Sequence, residues 1–123
     1  MTPLSTTADA LAYQLTVIGI YLDLPDTPVN VSLSDRQLAR RWCHQAVPLR
    51  TVETALLLGS LRRLLRPAEA PRLAPIRSLA YFQPVVEELL QTPVPDGYVT
   101  YLQAKMKAYR RHDPDLDPHP GPP

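Results

Sequence analysis

The chain has 123 residues, of which 45% are hydrophobic, and a formal net charge of +1. This length suits one compact domain with its own hydrophobic core. The single cysteine, Cys43, excludes an internal disulfide and is typical of a reducing compartment. No apolar run approaches the roughly 20 residues that cross a bilayer. The N-terminus lacks the basic segment of a secretory signal. We therefore expect a cytoplasmic protein with no membrane contact.

Positive charge is concentrated in the middle third of the sequence. Residues 1–32 carry three acidic residues and no Lys or Arg, whereas residues 33–80 carry nine Arg and only three acidic residues. A basic segment of this kind is typical of phosphate binding. Arg is also a good helix former, so a solvated helix face accounts for the same pattern equally well.

Apolar residues at three- and four-residue steps predict a first helix from Thr6 to Leu22. Its apolar face is predicted to carry Ala8, Leu11, Leu15, Ile18 and Leu22. Gly19 lies inside this pattern and suggests a close helix crossing. Pro25 and Pro28 end the helix, and residues 29–33 read as an ordered connector.

The second and third helices are joined by a tight turn at residues 45–48. Ser34 and Gln37 have the spacing of a capping box, which predicts the start of the second helix at Ser34. Pro48 suits the first turn of the third helix, which is rich in leucine and is predicted to be the most enclosed. Together the two helices are similar to a helix-turn-helix pair, without the strand hairpin of a winged helix.

Trp42 and Cys43 are interpreted as core residues. Trp42 shares a helix face with Leu38 and Ala46, which favours burial over the alternative that its ring stacks on a base. Cys43 is predicted to be buried, since free cysteine is among the most buried residue types.

The C-terminal half is punctuated by proline. A linker over residues 67–75 precedes a fourth helix that ends at Leu90 and begins either at Ser78, with a kink at Pro84, or later, with Pro84 in its first turn. Asp96 is predicted to cap a fifth helix that runs to Arg111. Residues 113–123 are proline-rich and acidic, which predicts a disordered tail. The sequence thus predicts an all-α bundle of about five helices, as one domain over residues 1–112.

No arrangement of side chains indicates catalysis, a metal or a cofactor. His44, His112 and His119 are scattered and do not have ligand spacing. The four glycines are ungrouped, which excludes a glycine-rich phosphate loop. Glu87 and Glu88 are adjacent, so they do not face one reacting bond. We therefore expect a binding protein and not an enzyme.

Seven arginines form the predicted phosphate-binding set, because guanidinium groups bind phosphate bidentately and without reading sequence. They are Arg40, Arg41, Arg62, Arg63, Arg66, Arg72 and Arg77. The first hypothesis is a DNA-binding accessory module, and the alternative is a small helical adaptor that binds protein and no nucleic acid. Convergence of these arginines on one acid-free face favours DNA. Their neutralisation by Glu87 and Glu88 favours the adaptor.

The sequence WCHQAVP ends the second helix and leads into PLRTVETAL, and Tyr81, Val85 and Leu89 then follow at four-residue steps. Over residues 34–92 these features resemble the C-terminal helical domain of DnaD-like replication and primosome proteins. The three later residues match the spacing of the family's Y-x-x-x-I-x-x-x-W motif, with Leu89 in place of tryptophan and Pro84 inside the motif.

The resemblance implies DNA binding in bacterial replication initiation or helicase loading. It also implies a protein partner in that complex and homo-oligomers. The same stretch is similar to small helical proteins of bacterial mobile elements.

Overall fold

The computed structural model describes the backbone of residues 7–111 and the side chains of residues 8–109. Within that range the chain is all-α and forms no strand, as predicted. The five α-helices are α1 (Thr7–Leu22), α2 (Leu33–His44), α3 (Leu49–Leu64), α4 (Gln83–Gln91) and α5 (Tyr98–Arg111), and a 3-10 turn over Leu79–Phe82 leads into α4. The tail predicted for residues 113–123 lies outside the described residues.

Helix α3 is the centre of the bundle, because α1, α4 and α5 all pack against it. Its buried residues lie on nearly every side of the helix, which confirms that the leucine-rich segment is the most enclosed. Helix α2 packs mainly on α1 and on the 3-10 turn. Consequently α2 keeps one whole side in solvent.

The core lies mostly on a different side of α1 from the apolar face that the sequence predicted, and of that face only Ile18 is buried. Tyr13, Val17 and Tyr21 point inward with Ile18, whereas Leu11 and Leu15 are 51% and 57% exposed. Both sides of α1 are apolar, so spacing alone did not distinguish them. The buried tyrosines decide the orientation, since aromatic side chains bury the largest area. Gly19 is not at a helix crossing among the described residues, as no atom lies within 4 Å of a Cβ built there.

The N-cap of helix α2 is Ser32, two residues before the predicted cap at Ser34. The capping box is formed by Ser32 and Asp35, each of whose side chains accepts the other residue's backbone N–H. Ser34 and Gln37 are instead exposed within the helix. The sequence prediction missed this box because Asp takes the N3 position that Glu or Gln usually holds.

The turn between α2 and α3 is a Schellman motif. The N–H of Val47 donates to the carbonyl of Trp42, and the N–H of Ala46 donates to the carbonyl of Cys43. Ala46 has φ of 61°, the left-handed conformation that this motif needs. The Tyr13 hydroxyl donates to the carbonyl of Val47 at 2.6 Å, which fastens the turn to α1.

Helix α4 begins late, with Pro84 in its first turn, so the second of the two alternatives is correct. The 3-10 turn before it places Phe82 against Gly59 of α3, where a Cβ on Gly59 would lie 2.8 Å from the phenyl ring. Helix α5 begins at Tyr98, and Asp96 pairs with Arg50 at 3.4 Å.

Trp42 is a core residue, as predicted. Its side chain is 1% exposed, and its indole N–H donates to the side-chain oxygen of Gln83 at 2.8 Å. Cys43 beside it is also buried. The stacking alternative for Trp42 therefore has no exposed ring face to use.

Candidate nucleic-acid interface

The solvent side of α2 is lined by basic and amide side chains. Arg36, Arg40 and His44 follow one another at four-residue steps, and Arg41 lies beside them. Gln37 and Gln45 are exposed on the same side of the chain. In a helix such steps place side chains on one face. We call the set Arg36, Arg40, Arg41 and His44 the α2 basic face.

None of the arginines of the α2 basic face has an acidic partner among residues 8–109. The reason is the placement of Asp35, the one acidic residue in α2, which is 2% exposed and points inward. Its Oδ2 accepts the N–H of Ser32 and its Oδ1 accepts the N–H of Leu79. The carboxylate is thus occupied by backbone donors, and the positive charge of the outer face is not neutralised within the helix.

Two further arginines are exposed without an acidic partner in the described part of the chain, namely Arg72 and Arg77. Arg77 lies two residues before Leu79, which is hydrogen-bonded to Asp35 at the start of α2. The backbone therefore brings Arg77 to the same end of the molecule as Arg36. Arg72 lies in the linker between α3 and the 3-10 turn, where it lines a concave surface with Arg66 and Tyr109.

At the end of α3, Arg62 is neutralised by Glu88 of α4. Two hydrogen bonds of 2.9 and 2.7 Å join the guanidinium to the two carboxylate oxygens. The hydrogen bond from Arg62 is the main cause that holds the pKa of Glu88 below its usual range. Such bidentate pairing occupies the edge of the guanidinium that would otherwise bind a phosphate.

Arg63 is a structural residue of the α3 end. Its side chain is only 7% exposed, and it donates to Asp26 and to the carbonyl of Ala74. The guanidinium also lies 5.3 Å from the centre of the Tyr81 ring. Burial alone lowers the pKa of Arg63, but the bonds to Tyr81 and Asp26 raise it overall. Arg66 in turn donates to the carbonyl of Pro71 at 2.8 Å.

The predicted arginine set thus divides into two groups. Arg40, Arg41, Arg72 and Arg77 are exposed without acidic partners among the described residues, whereas Arg62, Arg63 and Arg66 bind groups of the chain itself. Neutralisation by Glu88 is the outcome that favours the adaptor hypothesis, but it is confined to Arg62. Glu87 instead accepts a hydrogen bond from Gln83.

The three residues of the motif similar to DnaD-like proteins lie on the turn and on α4. Tyr81 is 41% exposed and packs edge-on against Phe82, with 5.1 Å between ring centres. Val85 is half-buried near Gly59, and Leu89 is buried. In this chain the three residues serve mainly to hold α4 and the turn against α3.

Arg36 and His44 complete the α2 basic face and were not in the predicted phosphate-binding set. The missed signal was the four-residue spacing from Arg36 through Arg40 to His44, which predicts one helix face. Arginine is more concentrated after residue 61, so the sequence favoured the C-terminal end of α3 and the linker that follows it. Composition does not show that carboxylates and carbonyls of the same chain bind the arginines at the end of α3.

Comparison with known proteins finds no matching family, no similar curated protein and no similar solved structure. Within residues 7–111, no helix combines the length and apolar composition that a bilayer crossing requires. Among the same residues, no three His, Cys, Asp or Glu side chains are grouped as metal ligands.

Proposed function

We propose that the chain is a non-catalytic DNA-binding module that holds the phosphate backbone on the α2 basic face. The observation that supports this most directly is the inward placement of Asp35, which leaves Arg36, Arg40 and Arg41 exposed with no acidic partner in the described part of the chain. Exposed arginines of this kind bind phosphate without first breaking an internal ion pair.

The dimensions of the face suit a backbone contact. From Arg36 to His44 the helix rises about 12 Å, at 1.5 Å per residue. Double-stranded DNA carries one phosphate charge per roughly 1.7 Å of its axis, so several phosphates lie within that span. Phosphate contacts carry no sequence information, and weak sequence preference is therefore expected.

A cytoplasmic role in bacterial replication or on a mobile element is part of the same proposal. It draws on the resemblance of residues 34–92 to DnaD-like domains, which implies DNA, a protein partner and assembly in a replication complex. The α2–turn–α3 pair differs from an ordinary helix-turn-helix, whose second helix enters the major groove. Here the second helix is enclosed and the first presents the charge.

The proposal is tested by comparing two sets of charge removals at low salt. The variant Arg36→Gln/Arg40→Gln/Arg41→Gln changes only exposed residues without acidic partners, so it should fold normally. We expect it to lose at least about tenfold in affinity for a labelled duplex, since each phosphate contact contributes to binding. The control Arg62→Gln/Arg66→Gln removes two positive charges from the α3 end and should change affinity much less. Equal losses in both variants would contradict the α2 assignment.

The adaptor is the second candidate, supported by the bidentate Arg62–Glu88 pair and by exposed leucines on α1. It predicts no binding of the wild-type protein to duplex or single-stranded DNA, even at low salt. Anisotropy measurements with both labelled forms therefore separate the two functions, and they also show which strand state is preferred.

A further inference from the structure

The outer face of α1 is an apolar surface that no described residue covers. We call it the outer stripe, and it consists of Ala8, Leu11, Ala12, Leu15, Thr16 and Gly19, all of them exposed. These positions follow three- and four-residue steps and so form a continuous band on one side of the helix. The band contains no charged side chain.

The outer stripe is unusual because the inner side of α1 is apolar as well. Val17 and Tyr21 are fully buried on that inner side. A helix that is apolar all round is generally covered on all sides. Leu11 and Leu15 nevertheless expose more than half of their surfaces to water. The stripe also borders a groove between α1, α3 and α5, lined by Ile20, Leu57 and Met106 among others.

We infer that two copies of this chain associate through their outer stripes. The two α1 helices are antiparallel, and the two-fold axis crosses the stripe at the level of residues 13–14. A second copy of the chain fits the outer stripe because the stripe is complementary to itself after the two-fold rotation. Leu15 of one copy lies level with Ala12 of the other, and Leu11 lies level with Thr16. Ala8 is likewise level with Gly19. Each large side chain thus meets a small one, which allows close packing of the helices.

Charge favours the same pairing, since no like charges meet along the stripe itself. The neighbouring carboxylates of Asp9, Asp23 and Glu53 lie at the margins and not within the band. Association is therefore driven by apolar burial, and salt should not weaken it. DNA binding differs in this respect, since its affinity should fall as the salt concentration rises.

The interface is small. The stripe spans 11 residue steps and hence about 17 Å of helix. One helix face of this length buries less than the roughly 800 Å² per partner of a standard interface. The dimer should therefore be weak and reversible, with a dissociation constant of about 10 μM to about 1 mM.

Sedimentation equilibrium over that concentration range tests the inference. We expect wild-type protein to move from monomer to dimer as its concentration rises, and Leu15→Gln to remain monomeric with an unchanged circular dichroism spectrum. The matched control is Leu90→Gln, which alters a leucine that is 47% exposed on α4 and should dimerise normally. If Leu15→Gln fails to fold, Ala12→Gln adds bulk at the same contact and should give the monomer.

Two outcomes would overturn the inference. One is a wild-type protein that stays monomeric throughout, which would mean that another protein or the chain's own terminal residues cover the stripe. The other is a Leu15→Gln or Ala12→Gln variant that is folded and dimerises like the wild type. Neither outcome bears on DNA binding through α2, so the two proposals fail separately.

Cross-linking tests the direction of the helices. An equimolar mixture of Ala8→Cys and Gly19→Cys proteins should form the mixed disulfide much faster than either protein forms its own. Cys43 is buried and remains in place as an internal control. A preference for the Ala8→Cys homodimer would indicate parallel helices and contradict the arrangement.

Discussion

Asp35 accepts the backbone N–H of Leu79 at 2.9 Å, across 44 residues of sequence. The same carboxylate accepts the N–H of Ser32 and caps α2. One buried side chain therefore starts a helix, anchors the 3-10 turn before α4 and removes the only acid from the α2 basic face. Burial first, and the charge of Asp35 second, raise the pKa of the neighbouring Tyr21 to about 12.

Replacement of Asp35 by alanine should destabilise the fold by at least about 2 kcal/mol, because hydrogen bonds to a charged acceptor contribute about 1.5–3 kcal/mol each. Two backbone donors would lose their partner, one of them buried at Leu79. Chemical denaturation measures the change.

The same experiment separates the observed cap from the predicted one. Ser32→Ala should cost about 1 kcal/mol as the loss of an N-cap. Ser34→Ala should change the free energy of unfolding very little, since Ser34 is an exposed residue of the first helical turn and not the N-cap. Equal effects of the two serine changes would contradict the assigned helix start.

Gly59→Ala and Gly19→Ala should change stability in opposite directions. Alanine is the better helix former by about 1 kcal/mol at both sites. At Gly59 the new methyl group would lie 2.8 Å from the ring of Phe82, which is fully buried. Overpacking of this kind costs about 1–3 kcal/mol and outweighs the propensity. At Gly19 no packed atom lies within 4 Å of the new methyl group, so alanine should stabilise the protein. Thermal melts of dilute protein test both signs.

Ala46→Gly should stabilise the protein by about 0.5 kcal/mol. The left-handed conformation of Ala46, with φ of 61°, costs a residue with a Cβ about 1–2 kcal/mol. Glycine removes that cost but gains freedom in the unfolded chain, which offsets about 0.5–1 kcal/mol. A lower melting temperature for this variant would contradict the Schellman geometry.

The Arg62–Glu88 pair should give a pH-dependent contribution to stability. The pKa of Glu88 is lowered in the folded state, so the contribution is present above the unfolded value of 4.5 and is lost as pH falls through the folded pKa. Glu88→Gln should therefore be slightly less stable than wild type at pH 7, and the difference should disappear in acid once Glu88 of the folded protein is protonated. A stability difference that persists in strong acid would show that Glu88 acts through packing.

The sequence predicted the fold class and most helix boundaries because proline and apolar spacing mark them locally. It predicted the burial of Trp42 from apolar spacing and that of Cys43 from the residue type, and both are buried. It did not predict which side of α1 faces the core. Leu11 and Tyr13 both belong to apolar helical patterns, but Tyr13 is buried and Leu11 is exposed. Only packing against α2 and α3 selects one side.

The environment of the arginines was harder to predict, because it depends on partners that are distant in the sequence. Arg63 and Asp26 are 37 residues apart in sequence, and Arg62 and Glu88 are 26 apart. Composition around residue 63 showed an excess of arginine, but the acids that bind two of these arginines come from other segments. The α2 basic face was more accessible to prediction, since its helical spacing is local.

The most direct test of the central claim is the salt dependence of duplex binding, measured by fluorescence anisotropy. For wild-type protein the logarithm of affinity should fall linearly with the logarithm of salt concentration, by about 0.9 per phosphate neutralised. The Arg36→Gln/Arg40→Gln/Arg41→Gln variant should show a slope shallower by up to about 2.7, with its melting temperature unchanged. Arg62→Gln/Arg66→Gln should keep the wild-type slope. An α2 variant with the wild-type slope, or a wild-type protein that does not bind at low salt, would contradict the account.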